Sequence, residues 1–258
     1  MGIVVFGAVF VDIKGFPDTQ YIPRGRNVGR VVQVHGGVSR NVAEDIANVE
    51  LRPTFVSLVD ESGTGTDVIE KLKKHKVNTG YMRRTPDGMG TWLAIFDNTG
   101  DVVAAISKRP DLSEIARILE EQGDEIFQDA DSIVVEFDIE PQTLKLIFRL
   151  AEKYHKEVYA VVSNMSIAIE RRDLLKNTGC FVCNQQEMGI LFSENYDYFT
   201  TDELMEKLAA KAPLAGIRRM VVTMGDQGAI YYEEGKEPGY CPPPAVDVID
   251  TTGAGDAM

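Results

Sequence analysis

The sequence predicts an α/β fold of three layers, with helices on both faces of a mainly parallel central sheet and a small second β-sheet beside it. Three observations carry this expectation. Short apolar runs suited to buried strands recur along the chain, and segments of helical periodicity lie between most of them. Two stretches, Val9–Val34 and Gly90–Ser107, are instead β-rich and broken by Gly and Pro.

The apolar runs are Ile3–Phe6, Phe55–Val59, Ile133–Val135, Val158–Val162, Phe181–Cys183 and Met220–Thr223. Between them Val42, Ile46 and Val49 recur at helical spacing, as do Val68, Ile69 and Leu72, then Leu144, Ile147, Phe148 and Ala151, and finally Leu204, Met205 and Leu208. Strand alternating with helix is the pattern of βαβ units, whose crossovers make neighbouring strands run parallel. Within the two interruptions, Asn98-Thr99-Gly100 reads as a turn between strands, so these stretches are expected to build the small sheet. No internal repeat or low-complexity tract marks a second unit, and residues 1–258 are read as one domain.

With 258 residues and 44% hydrophobic content the chain can bury a sizeable core. A net charge of −13 opposes non-specific attraction to nucleic acid or anionic membrane, and neither is expected as a partner. No apolar stretch approaches the length of a membrane span, and the Met-Gly-Ile-Val-Val-Phe start has no basic segment before a long apolar one. A cytoplasmic location is expected. The three cysteines are an odd number without a secretion signal, which argues against a disulfide framework. Cys180 and Cys183 are spaced Cys-x-x-Cys but lack a second ligand pair, so they read as small core residues rather than half a zinc site.

The closing run Asp250-Thr251-Thr252-Gly253-Ala254-Gly255-Asp256 combines small residues with bracketing acids. Consecutive backbone amides opening a helix favour an anion such as a phosphoryl group. An acid at that point hinders simple phosphate binding, yet it can take a proton from a hydroxyl while the amides stabilise a transferred group. A glycine turn with Asp as a first-turn residue remains an equal alternative on these grounds. The loop lacks the Gly-Lys-Ser/Thr ending of a P-loop and lies far from the first strand, which excludes a dinucleotide fingerprint.

Here the sequence resembles the ribokinase (PfkB) family, whose second signature is matched by Asp250–Asp256. Gly36-Gly37-Val38-Ser39-Arg40-Asn41-Val42-Ala43 is similar to its first signature; paired glycines bring backbone close to a polyhydroxylated substrate, and Asn41 can donate to and accept from its hydroxyls. Asp12 follows the first strand, where the family grips substrate hydroxyls with an acid. Asn184-Gln185-Gln186-Glu187 resembles the family's Asn-x-x-Glu motif, and Thr223-Met224-Gly225 its nucleotide-side turn. Taken singly, each of these could be a cap, a turn or a solvated acid; together and in order they span nearly the whole chain.

The resemblance implies a ribokinase-like αβα domain whose small sheet, about residues 9–34 and 90–107, closes as a lid, and an ATP-dependent kinase acting on an alcohol group. By the same resemblance Asp256 is the catalytic base, with Gly253, Ala254 and Gly255 as the anion hole. Asp12, Gly36, Gly37 and Asn41 hold the substrate, and Asn184, Glu187, Thr223 and Gly225 serve the nucleotide. Glu187 would act on Mg²⁺ through water, and Asp250 with Thr252 would hold an activating K⁺. A sugar or nucleoside substrate and a homodimer formed through the lid are implied likewise.

Gly-Gly-Val-x-Arg-Asn, together with the hairpin Leu93–Asp101, is most similar to pseudouridine kinases, which implies the pseudouridine 5′-hydroxyl as acceptor. A ribokinase- or fructokinase-like simple-sugar kinase and a non-catalytic ligand-binding relative are the alternatives. Trp92 or Phe96 could shape a base pocket or simply pack, and Arg40 reads either as an anion or carbonyl ligand or as an exposed arginine paired with Glu44. The sequence departs from the family at Val59-Asp60-Glu61-Ser62, at Val161-Val162 and at Cys183. Against that family the sequence is expected to be incomplete at its C-terminus.

Overall fold

The computed structural model describes residues 2–162, 164–245 and 254–257. In chain order the elements are β1 (Gly2–Phe6), β2 (Val9–Pro17), β3 (Gly29–Gly36), α1 (Val38–Asn48), β4 (Thr54–Val56), β5 (Leu58–Val59), α2 (Gly63–Lys74), β6 (Arg83–Arg84), β7 (Met89–Phe96) and β8 (Val102–Lys108). There follow α3 (Glu114–Asp129), β9 (Ala130–Glu136), α4 (Pro141–Lys153), β10 (Glu157–Val161), α5 (Met165–Glu170), α6 (Arg172–Leu175), β11 (Cys180–Asn184) and α7 (Gln185–Phe192). The series closes with α8 (Thr201–Leu214), β12 (Arg219–Thr223), β13 (Ala229–Glu233) and β14 (Gly239–Cys241).

Among the described residues the central sheet has eight strands in the order β14-β13-β12-β11-β10-β9-β1-β4. From β4 to β12 neighbours are parallel, and β13 and β14 turn antiparallel at one edge. From β1 the chain first moves outward to β4 and then returns to place β9 on the other side. The sheet's direction of growth therefore reverses between β1 and β9. Adjacent crossovers diverge at such a point and leave a crevice beyond the strand C-termini, the place where ligands bind in open α/β sheets.

Alternation along β1 shows why two helical layers form. Val4 and Phe6 join one core with Ile115, Ile118, Leu144, Ile147, Leu204 and Leu208 from α3, α4 and α8. Val5 points the other way, into a second core with Val42, Ala43, Val68 and Leu72 from α1 and α2. Successive side chains on a strand face opposite sides, so an unbroken apolar run needs cover on both.

The expected small sheet is present as β3-β2-β7-β8 and runs slightly further than the expected segments, to Gly36 and Lys108. One expected strand divides. Phe55–Val59 becomes β4 in the central sheet and β5 paired with β6, broken at Ser57, whose buried hydroxyl donates to Gly7 O at 2.5 Å. No helix among the described residues is long and apolar enough to cross a membrane.

Candidate active site

The crevice at the switch point is lined first by backbone. Gly37 caps α1 with φ 102° and ψ 125°, and a Cβ there would stand 2.7 Å from Ala8 O and 3.0 Å from Phe10 N. Only glycine lets α1 start this close to the β1–β2 connection. Glu136, at the C-terminal end of β9 and 1% exposed, fixes the same corner: its Oε2 accepts from Ala8 N at 2.9 Å and from Ser39 Oγ at 2.8 Å. One buried carboxylate thus joins the β1–β2 connection, β9 and the first turn of α1. Glu136 and Ser39 were not singled out from the sequence; an acid ending the apolar run Ile133-Val134-Val135 was the available signal.

Asp12 lies on β2 opposite Val34 of β3, with its carboxyl against the Cα of Gly36. Asn41, on the first turns of α1, donates from Nδ2 to Asp256 Oδ2 at 2.7 Å. The two signature segments, 215 residues apart in sequence, therefore meet. Burial pushes the Asp12 carboxyl above the usual carboxylate range, Lys14 and Arg40 oppose this, and the charge of Asp256 adds to it. Burial raises Asp256 as well, against the Asn41 hydrogen bond and the Arg40 charge. A base held above its ordinary value is a better proton acceptor near neutral pH.

Arg40 is not an exposed arginine. It is 5% exposed and pairs with Glu44, while its Nη2 donates to Asn41 Oδ1 at 2.6 Å. The i,i+4 pairing was legible, but the face of α1 that carries it turns into the site. Because guanidinium only donates, the Asn41 carbonyl must face Arg40 and its amide nitrogen must face Asp256. On the Asp256 side Asn41 therefore presents donors, narrower than the dual role expected of it.

A cleft of about 170 Å³ opens beside Asp256 and is lined by Val161, Val162, Asn184, Glu187, Thr223 and Gly255 among others, with no Lys or Arg among the described residues of its wall. Asn184 and Thr223 are register partners at the C-terminal ends of β11 and β12, which places them side by side. Asn184 and Glu187 form a reciprocal cap on α7, Oδ1 accepting from Glu187 N and Oε2 from Asn184 N, each at 2.8 Å. Burial raises the Glu187 carboxyl above its usual value, with the Asn184 N–H opposing. Gly225 has φ 61°, and a Cβ there or at Gly255 would meet nothing within 4 Å. The space beside both is thus open to a ligand.

Ala254 and Gly255 are exposed and Asp256 is half-buried, whereas Asp250, Thr252 and Gly253 lie outside the described residues. Cys183 also lines the cleft, and burial holds its thiol well above its ordinary value, so it is a packed thiol rather than a thiolate. This wall fits a magnesium nucleotide: open glycine backbone beside two carboxylates suits phosphate oxygens and a hard cation that keeps much of its water.

A second cavity, of about 230 Å³, opens by Ala8, Phe10 and Glu136 and is lined further by Arg109, Asp138, Glu140 and Arg171. Arg109, just beyond β8, donates to Asp138 O at 3.0 Å and reaches its Oδ2 at 3.4 Å. Arg171 donates to the carbonyls of Phe137 and Ile139. None of these charged residues was picked out from the sequence, since they come from three separate loops. Trp92 and Phe96 line neither cavity: their rings meet edge-on at 6.3 Å, and Phe96 stacks on Phe16 at 4.7 Å.

A three-layer α/β sheet with a carboxylate and an amide meeting beside an open cleft at the C-terminal ends of its parallel strands has the architecture of a small-molecule phosphotransferase. The chain belongs to the pfkB family of carbohydrate kinases, whose model matches residues 2–258, and it is a sugar or nucleoside kinase. It is 31% identical over 258 residues to a guanosine-inosine kinase of Exiguobacterium acetylicum, covering 99% of this chain and 84% of that protein. It is 26% identical over 261 residues to a pseudouridine kinase of Escherichia coli strain K12, covering 99% and 80%. Among solved structures it superimposes on Arabidopsis thaliana ribokinase complexed with ribose and ATP, with TM-score 0.82, 21% identity and coverage of 99% and 82%. Giardia lamblia ribokinase gives TM-score 0.84 at 17% identity, covering 99% and 80%. These last two show the ribokinase-like fold.

Proposed function

We propose that this protein is an ATP-dependent nucleoside kinase that phosphorylates the ribose 5′-hydroxyl, with Asp256 as the base. The observation that carries the reading is the Asn41–Asp256 hydrogen bond, which sets the acid of the closing loop beside the glycine turn and Asp12. Asp12, Gly36, Gly37 and Asn41 grip the sugar. Asp256 accepts the proton of the attacking hydroxyl as its oxygen bonds to the γ-phosphorus of ATP and the bond to the ADP oxygen breaks. Gly253, Ala254 and Gly255 offer their amides to the phosphoryl charge.

Asn184, Glu187, Thr223 and Gly225 face the nucleotide side. Glu187 would hold Mg²⁺ through water, and that ion would neutralise phosphate charge; Asp250 and Thr252 would hold K⁺. The small sheet acts as a lid that excludes water, and pairs with a second copy in a homodimer.

A nucleoside is favoured over a bare sugar by the second cavity, which adjoins Glu136 and gives a base somewhere to go. Two nucleoside kinases among the relatives, one for guanosine and inosine and one for pseudouridine, support the same choice. The Gly-Gly-Val-x-Arg-Asn motif leans toward pseudouridine. A coupled ADP-release assay over guanosine, inosine, pseudouridine, ribose and fructose tests the proposal. Turnover is expected with at least one nucleoside and lost in Asp256→Asn with ligand binding retained. Turnover confined to ribose or fructose would replace the nucleoside reading by a simple-sugar one, and unchanged turnover in Asp256→Asn would reject the base.

A further inference from the structure

Arg40 occupies a position that stability does not explain. A guanidinium 5% exposed on the first turns of a helix is costly to desolvate, and its Nε is buried with no hydrogen-bond partner among the described residues. A methionine would fill similar volume without that penalty. What the guanidinium adds is direction: Nη1 is anchored on Glu44, Nη2 donates to Asn41 Oδ1 at 2.6 Å, and Asn41 Nδ2 donates to Asp256 Oδ2 at 2.7 Å. Glu44 is held in turn by Lys71 and His75, each at 3.4 Å from its Oε1.

An asparagine amide is nearly symmetric in shape, so nothing in its packing forbids a half-turn that would point its carbonyl at Asp256. That orientation would set two acceptors against each other. A neighbour that can only donate removes the ambiguity. We propose that Arg40 is a positioning residue, which locks the Asn41 amide with its nitrogen toward Asp256 so that one carboxylate oxygen is held and the other is left for the substrate hydroxyl. The proposal rests on the reading of Asp256 as the base.

The charges around Asp256 set the sign of the pH effect. Asp12 faces it from β2, Asp45 of α1, raised by burial and Glu44, also feels its charge, Glu187 shares its cleft on α7, and Lys14 acts on Asp12. His35 of β3 is held below its usual value by burial and by Arg40, while Glu44 is held low against burial chiefly by Arg40, so removing Arg40 also uncovers the Glu44 charge, which acts in the same direction. Among the described residues Arg40 is the cation acting on Asp256, and its removal raises the base's pKa.

The test is steady-state kinetics of Arg40→Met and Arg40→Lys against pH, with Asn41→Ala and the Arg40→Met/Asn41→Ala double variant. The expected result for Arg40→Met is a kcat about 10- to 100-fold lower, with KM changed less and the acid limb moved upward by about one pH unit. Arg40→Lys recovers part of this loss, and adding Arg40→Met to Asn41→Ala costs much less than Arg40→Met alone. A readout that needs no turnover is the side-chain amide resonance of Asn41 in ¹⁵N NMR: its titration midpoint rises in Arg40→Met.

A wild-type kcat and acid limb per folded molecule in Arg40→Met, fully multiplicative effects in the double variant, or an unmoved Asn41 midpoint would each overturn the proposal. Asp256→Asn in the same assay separates the two readings. Turnover there removes the base, whereas a dead Asp256→Asn beside a wild-type Arg40→Met removes only the role of Arg40.

Discussion

Gly37→Ala tests whether the site is built on backbone that only glycine can adopt. At φ 102° and ψ 125° an L-residue is strained by about 1–3 kcal/mol wherever it sits. The new Cβ would also stand 2.7 Å from Ala8 O, 3.0 Å from Phe10 N and 3.3 Å from Val9 Cα, all backbone of the β1–β2 connection. None of these atoms belongs to a side chain that can rotate away, so overpacking adds about 1–3 kcal/mol. The sum, about 2–6 kcal/mol, is a large fraction of a domain's stability and should be read as a lower urea midpoint at unchanged slope. Gly36→Ala is the control. Its Cβ would meet the Asp12 carboxyl, 2.5 Å from Oδ2, which can swing aside, so folding should suffer less while substrate affinity falls. A Gly37→Ala midpoint within about 0.5 kcal/mol of wild type, or equal destabilisation by the two, would refute the reasoning.

Glu136→Ala strands the buried Ala8 N–H, at about 1–3 kcal/mol, and leaves the Ser39 hydroxyl only the Phe6 carbonyl at 3.4 Å, so urea denaturation should register a loss of at least about 1 kcal/mol. Asp256→Asn should raise the melting temperature of the free protein at pH 7. Because burial lifts the folded-state pKa of Asp256 above the unfolded value near 3.8, its ionised form destabilises the fold once pH exceeds the folded pKa. The gain should shrink as pH falls through that range, and a constant gain would argue for another cause. Asn184→Ala removes the cap on Glu187 N, costing about 1 kcal/mol in thermal unfolding, and should weaken ATP binding in calorimetry. Chelation of divalent metal should weaken ATP binding by at least about tenfold, since the described residues of the cleft wall include no Lys or Arg; equal affinity with and without chelator would contradict this.

What the sequence made legible follows from where each element is buried. Strands β1 and β9–β12 are covered on both faces and so read as apolar runs, whereas β14 at the edge and β13 beside it leave Tyr240 and Tyr231 exposed and were not anticipated. Helix α3 was missed although Ile115, Ile118, Leu119, Ile126 and Phe127 are buried, because Glu120-Glu121-Gln122-Gly123 interrupts the pattern. Gly123 has a structural purpose that the sequence does not announce: a Cβ there would stand 2.8 Å from Leu150 Cδ1 of α4. The Gly36-Gly37 pair was legible because close backbone approach demands a rare residue. Ser39 and Glu136 were not, because their hydrogen bond spans 97 residues and neither side chain is unusual alone. Arg40 shows a third case: the spacing to Glu44 is the same whether the pair faces water or the site.

The net charge of −13 and the proposed use of ATP are compatible because they act at different ranges. Binding to a polyanion such as DNA gains its affinity from many cationic side chains that displace condensed counterions, and a chain with 40 acids against 27 bases cannot supply them. A single triphosphate needs only local compensation. Backbone amides supply it without any formal charge, and a divalent cation carried by the nucleotide cancels half of what remains. In a cleft walled by Asp256, Glu187 and open glycine backbone, a lysine would be drawn into ion pairs with these carboxylates and would hold Asp256 in its weakly basic, low-pKa form. On the proposed reading, setting Arg40 behind Asn41 rather than in the cleft wall would keep Asp256 able to accept a proton and would leave the phosphate side to amides and metal.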